Sequence, residues 1–196
     1  EGVAIVFMAL SGISFARYFT VWRTRSARTL WLDPEVRVYL ALLIASSLIL
    51  TLMLAAHGVY PGVPEAFRAA AFHVVSLATT TGYAATDYAQ WPVFAPVFMI
   101  FLGCFASCAG STGGGIKMVR MLLLVKQARR ELVRAMHPRV VNPVTLSGAT
   151  VPGTVIAAVM AFMLIYGAST VGLTFLLLLS GLDLVTAFSA APNTAP

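Results

Sequence analysis

Charge is the scarcest commodity in this chain. Asp, Glu, Lys and Arg supply 10% of its 196 residues, where soluble domains carry about a quarter. That scarcity, with 59% hydrophobic content, excludes an ordinary soluble domain and predicts a membrane protein. Cysteine is nearly absent. Cys104 and Cys108 stand four apart in an apolar run, where a helix puts them on one face. With no His or acidic neighbour they make a poor metal site and read as two small buried thiols. An initiating Met is also missing, so a fragment or a processed chain is expected. No charged segment with a cleavage site precedes the first apolar run, which argues against a signal peptide.

The basic residues present are clustered. Arg17, Arg23, Arg25, Arg28 and Arg37 form one group, and Lys117, Arg120, Lys126, Arg129, Arg130, Arg134 and Arg139 another; Arg68 stands alone. A nucleic-acid patch is the competing reading. Basic loops between apolar spans follow the positive-inside rule instead, which puts both groups on the cytoplasmic side and predicts no nucleic-acid partner.

Residues 2–19 read as the last turns of a membrane helix, running into a basic connector. Asp33 and Pro34 suit a helix start, and residues 36–56 are long enough for one crossing of the bilayer. A turn rich in Pro and Gly follows. Residues 65–78 are helix-prone but too short to span, as in a re-entrant helix. They end in Thr79, Thr80, Thr81, Gly82 and Tyr83, after which Tyr88 and Trp91 read as interface aromatics. Residues 93–127 are apolar but interrupted. Four glycines within six residues (Gly110, Gly113, Gly114 and Gly115) disfavour a continuous helix, at about 1 kcal/mol each relative to Ala. Two half-helices joined by an irregular loop are expected, and such backbone survives at membrane depth only against protein or a water-filled cavity. An amphipathic basic stretch follows. Residues 152–180 then form a second span, and residues 181–190 start another short helix, with Asp183 near its N-terminus. The order span, short helix, broken span, span, short helix suggests a repeat in which 77–79 and 185–187 correspond.

The interruption, CAGSTGGGIK, resembles a phosphate-binding loop superficially. That loop needs Gly-Lys-Ser/Thr on a strand-to-helix turn; here Ile116 separates Gly115 from Lys117, Met118 follows, and no catalytic carboxylates stand nearby. A nucleotide-binding enzyme is therefore disfavoured.

The TTTGY stretch has two readings. Carbonyls and Thr hydroxyls can replace the water of a dehydrated cation, with Gly82 permitting the backbone turn that presents them. Several such units must surround a pore. The alternative is an extracellular turn whose threonines cap a helix. His73 reads as a packing residue, His57 and His137 as interface residues, and Asp87 as either a cation-attracting or a solvated carboxylate.

Three stretches, GISFARYFTVWRTRSARTLWLDPEVRVYL, FHVVSLATTTGYAATDYAQWP and GCFASCAGSTGGGIKMVRMLLLVKQARRELVRAMHPRVV, closely resemble the TrkH/TrkG/KtrB family of potassium uptake proteins, to about residue 189. The resemblance implies an all-α membrane protein built from helix–pore loop–helix repeats with a broken second helix, four units in one chain around one pore. It implies that residues 1–34 hold the end of unit two and a cytoplasmic connector, 35–140 all of unit three, and 141–196 the first helix and start of the pore helix of unit four. It implies K+ as the transported ion, held at Thr80, Thr81 and Gly82 in a filter of Thr79, Thr80, Thr81, Gly82 and Tyr83. It implies an intramembrane gating loop of Cys108, Ala109, Gly110, Ser111, Thr112, Gly113, Gly114 and Gly115. Lys117 and Arg120 are then either membrane anchors or contacts for a cytosolic regulator. No cofactor or enzymatic activity is implied. The partners implied are the lipid bilayer of a bacterial inner membrane, the remaining pore units, a second copy of the protein, and a cytosolic nucleotide-binding regulatory subunit of TrkA/KtrA type. A nonconducting assembly protein derived from the family is the alternative.

Overall fold

The computed structural model describes residues 1–26, 28–137, 143–146, 149–182, 186, 187 and 190. Arg139, Asp183, Val185 and most of the expected second short helix lie outside the described residues, and with them the comparison of 77–79 with 185–187. The chain divides into two compact units, Glu1–Lys117 and Met118–Pro196.

The first unit opens with α1 (Gly2–Ser11) and α2 (Phe15–Thr24). The expected single end-piece is two helices, bent by 93° at residues 12–14. A short α3 (Arg28–Leu32) leads to α4 (Pro34–Ala56). The side chain of Asp33 caps α4, its Oδ1 accepting from the Glu35 amide at 2.9 Å while its other oxygen pairs with Arg17. Pro at the first helical position needs no amide partner. With 23 residues, α4 is apolar enough to cross a membrane. Two of its buried hydroxyls close on its own backbone, Ser47 on the Leu43 carbonyl and Thr51 on Ser47, so neither is left unpaired away from water.

Helix α5 (Val63–Ala78) has 16 residues, roughly 24 Å of helix against a bilayer core of about 30 Å. Its first turns are largely exposed and its C-terminal part is buried, with Ala66, Ala70, Val74 and Ala78 in one core with Tyr39, Leu43, Leu50 and Leu54 of α4. Alanines on that face permit the close approach on which helix packing in lipid depends. A 3₁₀ turn (Tyr88–Gln90) precedes α6 (Phe94–Gly103). The expected interruption follows as an irregular loop over 104–117. Helix α6 stops at Gly103, so Cys104 and Cys108 share no helix face; Cys108 is buried and Cys104 half-buried. Trp91, expected as an interface aromatic, has its ring turned into the protein. It is 5% exposed and packs against His73 and Tyr60, with Tyr88 beside it.

The second unit begins with α7 (Met118–Met136). The apolar half-helix and the amphipathic basic stretch are one continuous helix, supported on its polar face by Gln127 donating to Glu131 one turn on. A two-stranded antiparallel pair, β1 (Thr145–Leu146) with β2 (Ala149–Thr150), precedes α8 (Gly153–Leu179). Strands of two residues leave no periodic signal in a sequence. Leu123, Val144 and Ile156 form a small core here, and Arg120 of α7 lies 3.7 Å over the ring of Phe162 in α8. At 27 residues α8 is the second span among the described residues.

Candidate functional site

The C-terminal end of α5 carries the threonine–glycine turn. Thr79 caps the helix with its amide on the Val75 carbonyl, and Thr80 donates to Leu77, both at 3.0 Å. The chain then reverses. Thr80 has φ +54 and Gly82 φ +79. For glycine this is free; for a β-branched residue it is an outlier, held only where the surroundings over-determine it.

Ser76 makes the reversal possible, and sequence reasoning missed it. Its carbonyl accepts the amides of Thr81 at 2.8 Å and Gly82 at 3.3 Å. Its hydroxyl donates to the Tyr83 carbonyl at 2.7 Å. Thr79 Oγ1 donates to Val75 at 2.7 Å and meets Thr81 Oγ1 at 2.8 Å. Every amide from Thr79 to Gly82 is thereby turned into the helix end. The carbonyls of Thr79, Thr80, Thr81 and Gly82 accept no hydrogen bond among the described residues. They lie at the end of α5 where the helix dipole is negative, and Thr81, Gly82 and Tyr83 are exposed. Tyr83 differs from the other four, because its carbonyl is already occupied by Ser76.

The glycine loop lies against this turn. The Gly114 amide donates to Thr80 Oγ1 at 2.9 Å, and Ser107 Oγ donates to the Gly114 carbonyl at 3.0 Å. This contact accounts for the Thr80 geometry: the strained residue is bonded from the loop. The loop's other end is fastened at the α1–α2 bend. Cys108 donates to the Gly12 carbonyl and Phe15 to the Gly110 carbonyl, each at 3.0 Å, and Thr112 Oγ1 donates to Ser11 at 3.1 Å. Glu35, in the first turn of α4, accepts the Ala109 amide at 2.7 Å. Ser111 closes locally on the Cys108 carbonyl at 2.7 Å, and Lys117 donates to the Gly113 carbonyl. Two glycines are sterically required. A Cβ on Gly113 would stand 2.6 Å from Ser107 Cβ, and one on Gly115, at φ +74, 2.5 Å from the Cys104 carbonyl oxygen.

The loop is no phosphate cradle. No strand precedes it, and its amides at 108, 109, 111, 114 and 116 are already spent within the protein. Among the described residues there is no cluster of His, Cys, Asp and Glu suited to a metal. Arg120 is engaged with Phe162, and Lys117 with the loop itself.

His73 is fully buried. Its Nδ1 meets the Ala69 carbonyl at 2.8 Å, and its Nε2 lies 3.2 Å from the Thr86 carbonyl and 3.3 and 3.4 Å from the amides of Ala85 and Thr86. With the proton on Nδ1 the ring donates to its helix and accepts from the segment leaving the turn. His73 is thus a clamp on that segment as well as a packing residue. In the full-length protein, His73→Leu keeps the volume and loses both contacts, at about 1–2 kcal/mol. The thermal midpoint is expected to fall by several degrees; an unchanged midpoint would show that the ring clamps nothing.

A spanning helix, a short helix ending inside the protein on a turn of unpartnered carbonyls, and a second helix broken by a glycine loop define an all-α membrane protein of the pore-loop kind. Comparison with known proteins supplies the family. The model of the TrkH family, described as cation transport protein, matches residues 1–191, and the chain belongs to that family. It is 36% identical over 194 residues to the Trk system potassium uptake protein TrkH of Vibrio parahaemolyticus, covering 98% of this chain and 40% of that protein. Identity to the Trk system potassium uptake protein TrkG of Escherichia coli K12 is 32%, covering 96% of this chain and 39% of that protein. The crystal structure of the potassium transporter TrkH from Vibrio parahaemolyticus superposes with a TM-score of 0.91, over 97% of this chain and 41% of that one. The chain thus spans about 40% of the length of the curated relatives it matches. These relatives are transporters, not enzymes.

Proposed function

We propose that this chain is part of the pore-forming subunit of a Trk-type potassium uptake system in a bacterial inner membrane. The carbonyls of Thr79, Thr80, Thr81 and Gly82 form one wall of the ion filter, and the loop over 108–115 is the gate beneath it. The observation that carries this reading is the set of four carbonyls at the negative end of α5 that accept from no donor among the described residues. A dehydrated cation needs such oxygens, and no side-chain charge is required to hold it. Other units of the full-length protein supply the rest of the ring. Lys117 and Arg120 lie at the cytosolic edge, toward a nucleotide-binding regulatory subunit, and two copies of the protein assemble.

The test is K+ uptake by the full-length protein in cells lacking other uptake systems. A Cβ on Gly82 would meet nothing within 4 Å, so Gly82→Ala acts only through its backbone, at about 1–2 kcal/mol. Uptake is expected to fall about tenfold, in line with 1.4 kcal/mol per tenfold, with the ratio of K+ to Na+ uptake falling as well. Wild-type uptake and ion preference in this variant would remove the turn from the ion path.

A further inference from the structure

We propose that the second unit carries a binding site for the phosphate of an anionic phospholipid, in a cavity between α7 and the segment entering β1. This rests on the reading that places the basic half of α7 on the cytosolic side. The cavity measures about 370 Å³ and is lined by Lys126, Arg129, Arg130, Val133, Pro143, Val144 and Thr145. Three cations face it, and acidic residues are nearly absent: beyond Asp87 the whole sequence holds only Glu131 and Asp183. One oxygen of Glu131 serves Gln127 at 2.8 Å, Arg130 at 3.3 Å and Arg134 at 3.6 Å. Nothing neutralises Arg129 among the described residues. Among the described residues the Nε of Arg130 is buried with no acceptor, and Gln127 Oε1 one turn away is buried with no donor. A buried donor on a charged group is expensive to leave unmade, so an acceptor from outside the chain is expected. Lys126 bonds the Thr145 carbonyl at 2.6 Å, joining the two walls.

Phosphate is the matching chemistry, since guanidinium groups pair with its oxygens in a forked geometry. The position points to a lipid rather than a free anion. Helix α7 is apolar through Met121–Val125 and turns basic at Lys126, the change a helix makes where it meets the headgroup layer. The apolar side of the cavity, Val133, Pro143 and Val144, suits the start of a lipid's acyl chains and offers nothing to inorganic phosphate.

The experiment is native mass spectrometry of the full-length protein in detergent, titrated with phosphatidylglycerol, phosphatidylcholine or inorganic phosphate. Retained phosphatidylglycerol is expected, with little phosphatidylcholine and no displacement by millimolar phosphate. Each cation near an anionic headgroup contributes about fivefold. Arg129→Gln, an exposed change that leaves the fold intact, weakens retention about fivefold, and Arg129→Gln with Arg130→Gln about 25-fold. Arg129→Lys keeps the charge without the fork and weakens retention less than Arg129→Gln does, and the distant Arg23→Gln leaves it unchanged. Equal retention of both lipids, or no effect of Arg129→Gln, overturns the site. Displacement by inorganic phosphate makes it a free-anion site and overturns the lipid assignment. The readout is binding, so a failed transport assay leaves this result standing.

Discussion

Gly115→Ala in the full-length protein is expected to free the glycine loop from its seat. The residue sits at φ +74, and its Cβ would lie 2.5 Å from the Cys104 carbonyl oxygen and 3.0 Å from its carbon. Both obstacles are backbone and cannot swing aside. The left-handed conformation alone costs about 1–2 kcal/mol for a non-glycine residue. Relieving the overlap also breaks the 2.6 Å bond from the Ile116 amide to the same oxygen, worth about 1 kcal/mol. A total near 3 kcal/mol lowers the seated population about 100-fold. Cys108, at 0% exposed, reports the change directly. With Cys104 and any other cysteines replaced, its labelling by a maleimide should accelerate about 100-fold, and, on the proposed function, K+ uptake should depend less on the proposed regulatory subunit. Gly114→Ala is the matched control: its Cβ would lie 3.8 Å from Thr80, ordinary contact, and labelling should stay slow. Equal Cys108 reactivity in wild type and Gly115→Ala would show that the loop does not need the left-handed turn.

The spans and the break were legible from local signals. An apolar run of membrane length, an Asp-Pro start and four crowded glycines each act within one turn of helix, and α4, the short α5, the 104–117 loop and α8 follow from them. The bend between α1 and α2 was not legible, because Gly12-Ile13-Ser14 carries no proline and the angle is set by what docks there. The continuity of α7 was missed for a different reason. Amphipathic and apolar segments follow different patterns, yet no breaker separates them. At the site, residue types were readable and partnerships were not. TTTGY marks the turn, but Ser76, which holds both of its sides, looks like any small helix residue. Nothing in the glycine run indicates that Gly114 bonds Thr80, 34 positions earlier, or that Ala109 bonds Glu35, 74 positions earlier.

That last partnership makes Glu35 a charged side chain that holds the loop, as Lys117 does at the Gly113 carbonyl. The other contacts fastening the loop at the α1–α2 bend are two backbone amides, which no side-chain substitution removes, and the neutral Thr112 hydroxyl, a weaker bond than one to a charged group. Glu35 provides a carboxylate at 2.7 Å, and its register is set in turn by Asp33, which caps α4 at the Glu35 amide and pairs with Arg17. A hydrogen bond to a charged acceptor is worth about 1.5–3 kcal/mol. Glu35→Ala is therefore expected to lower the seated population of the loop between about 10- and 150-fold. Glu35→Gln retains an oxygen acceptor without the charge and should lose about half of that free energy. The graded order, Ala above Gln above wild type, is expected in the rate of Cys108 labelling and, on the proposed function, in uptake measured without the proposed regulatory subunit. The two variants separate a latch from a fold requirement. A residue needed only to fold α4 would lower the thermal midpoint and leave Cys108 labelling unranked. A labelling rate unchanged in Glu35→Ala, with the midpoint also unchanged, would assign the loop's hold to the backbone contacts alone.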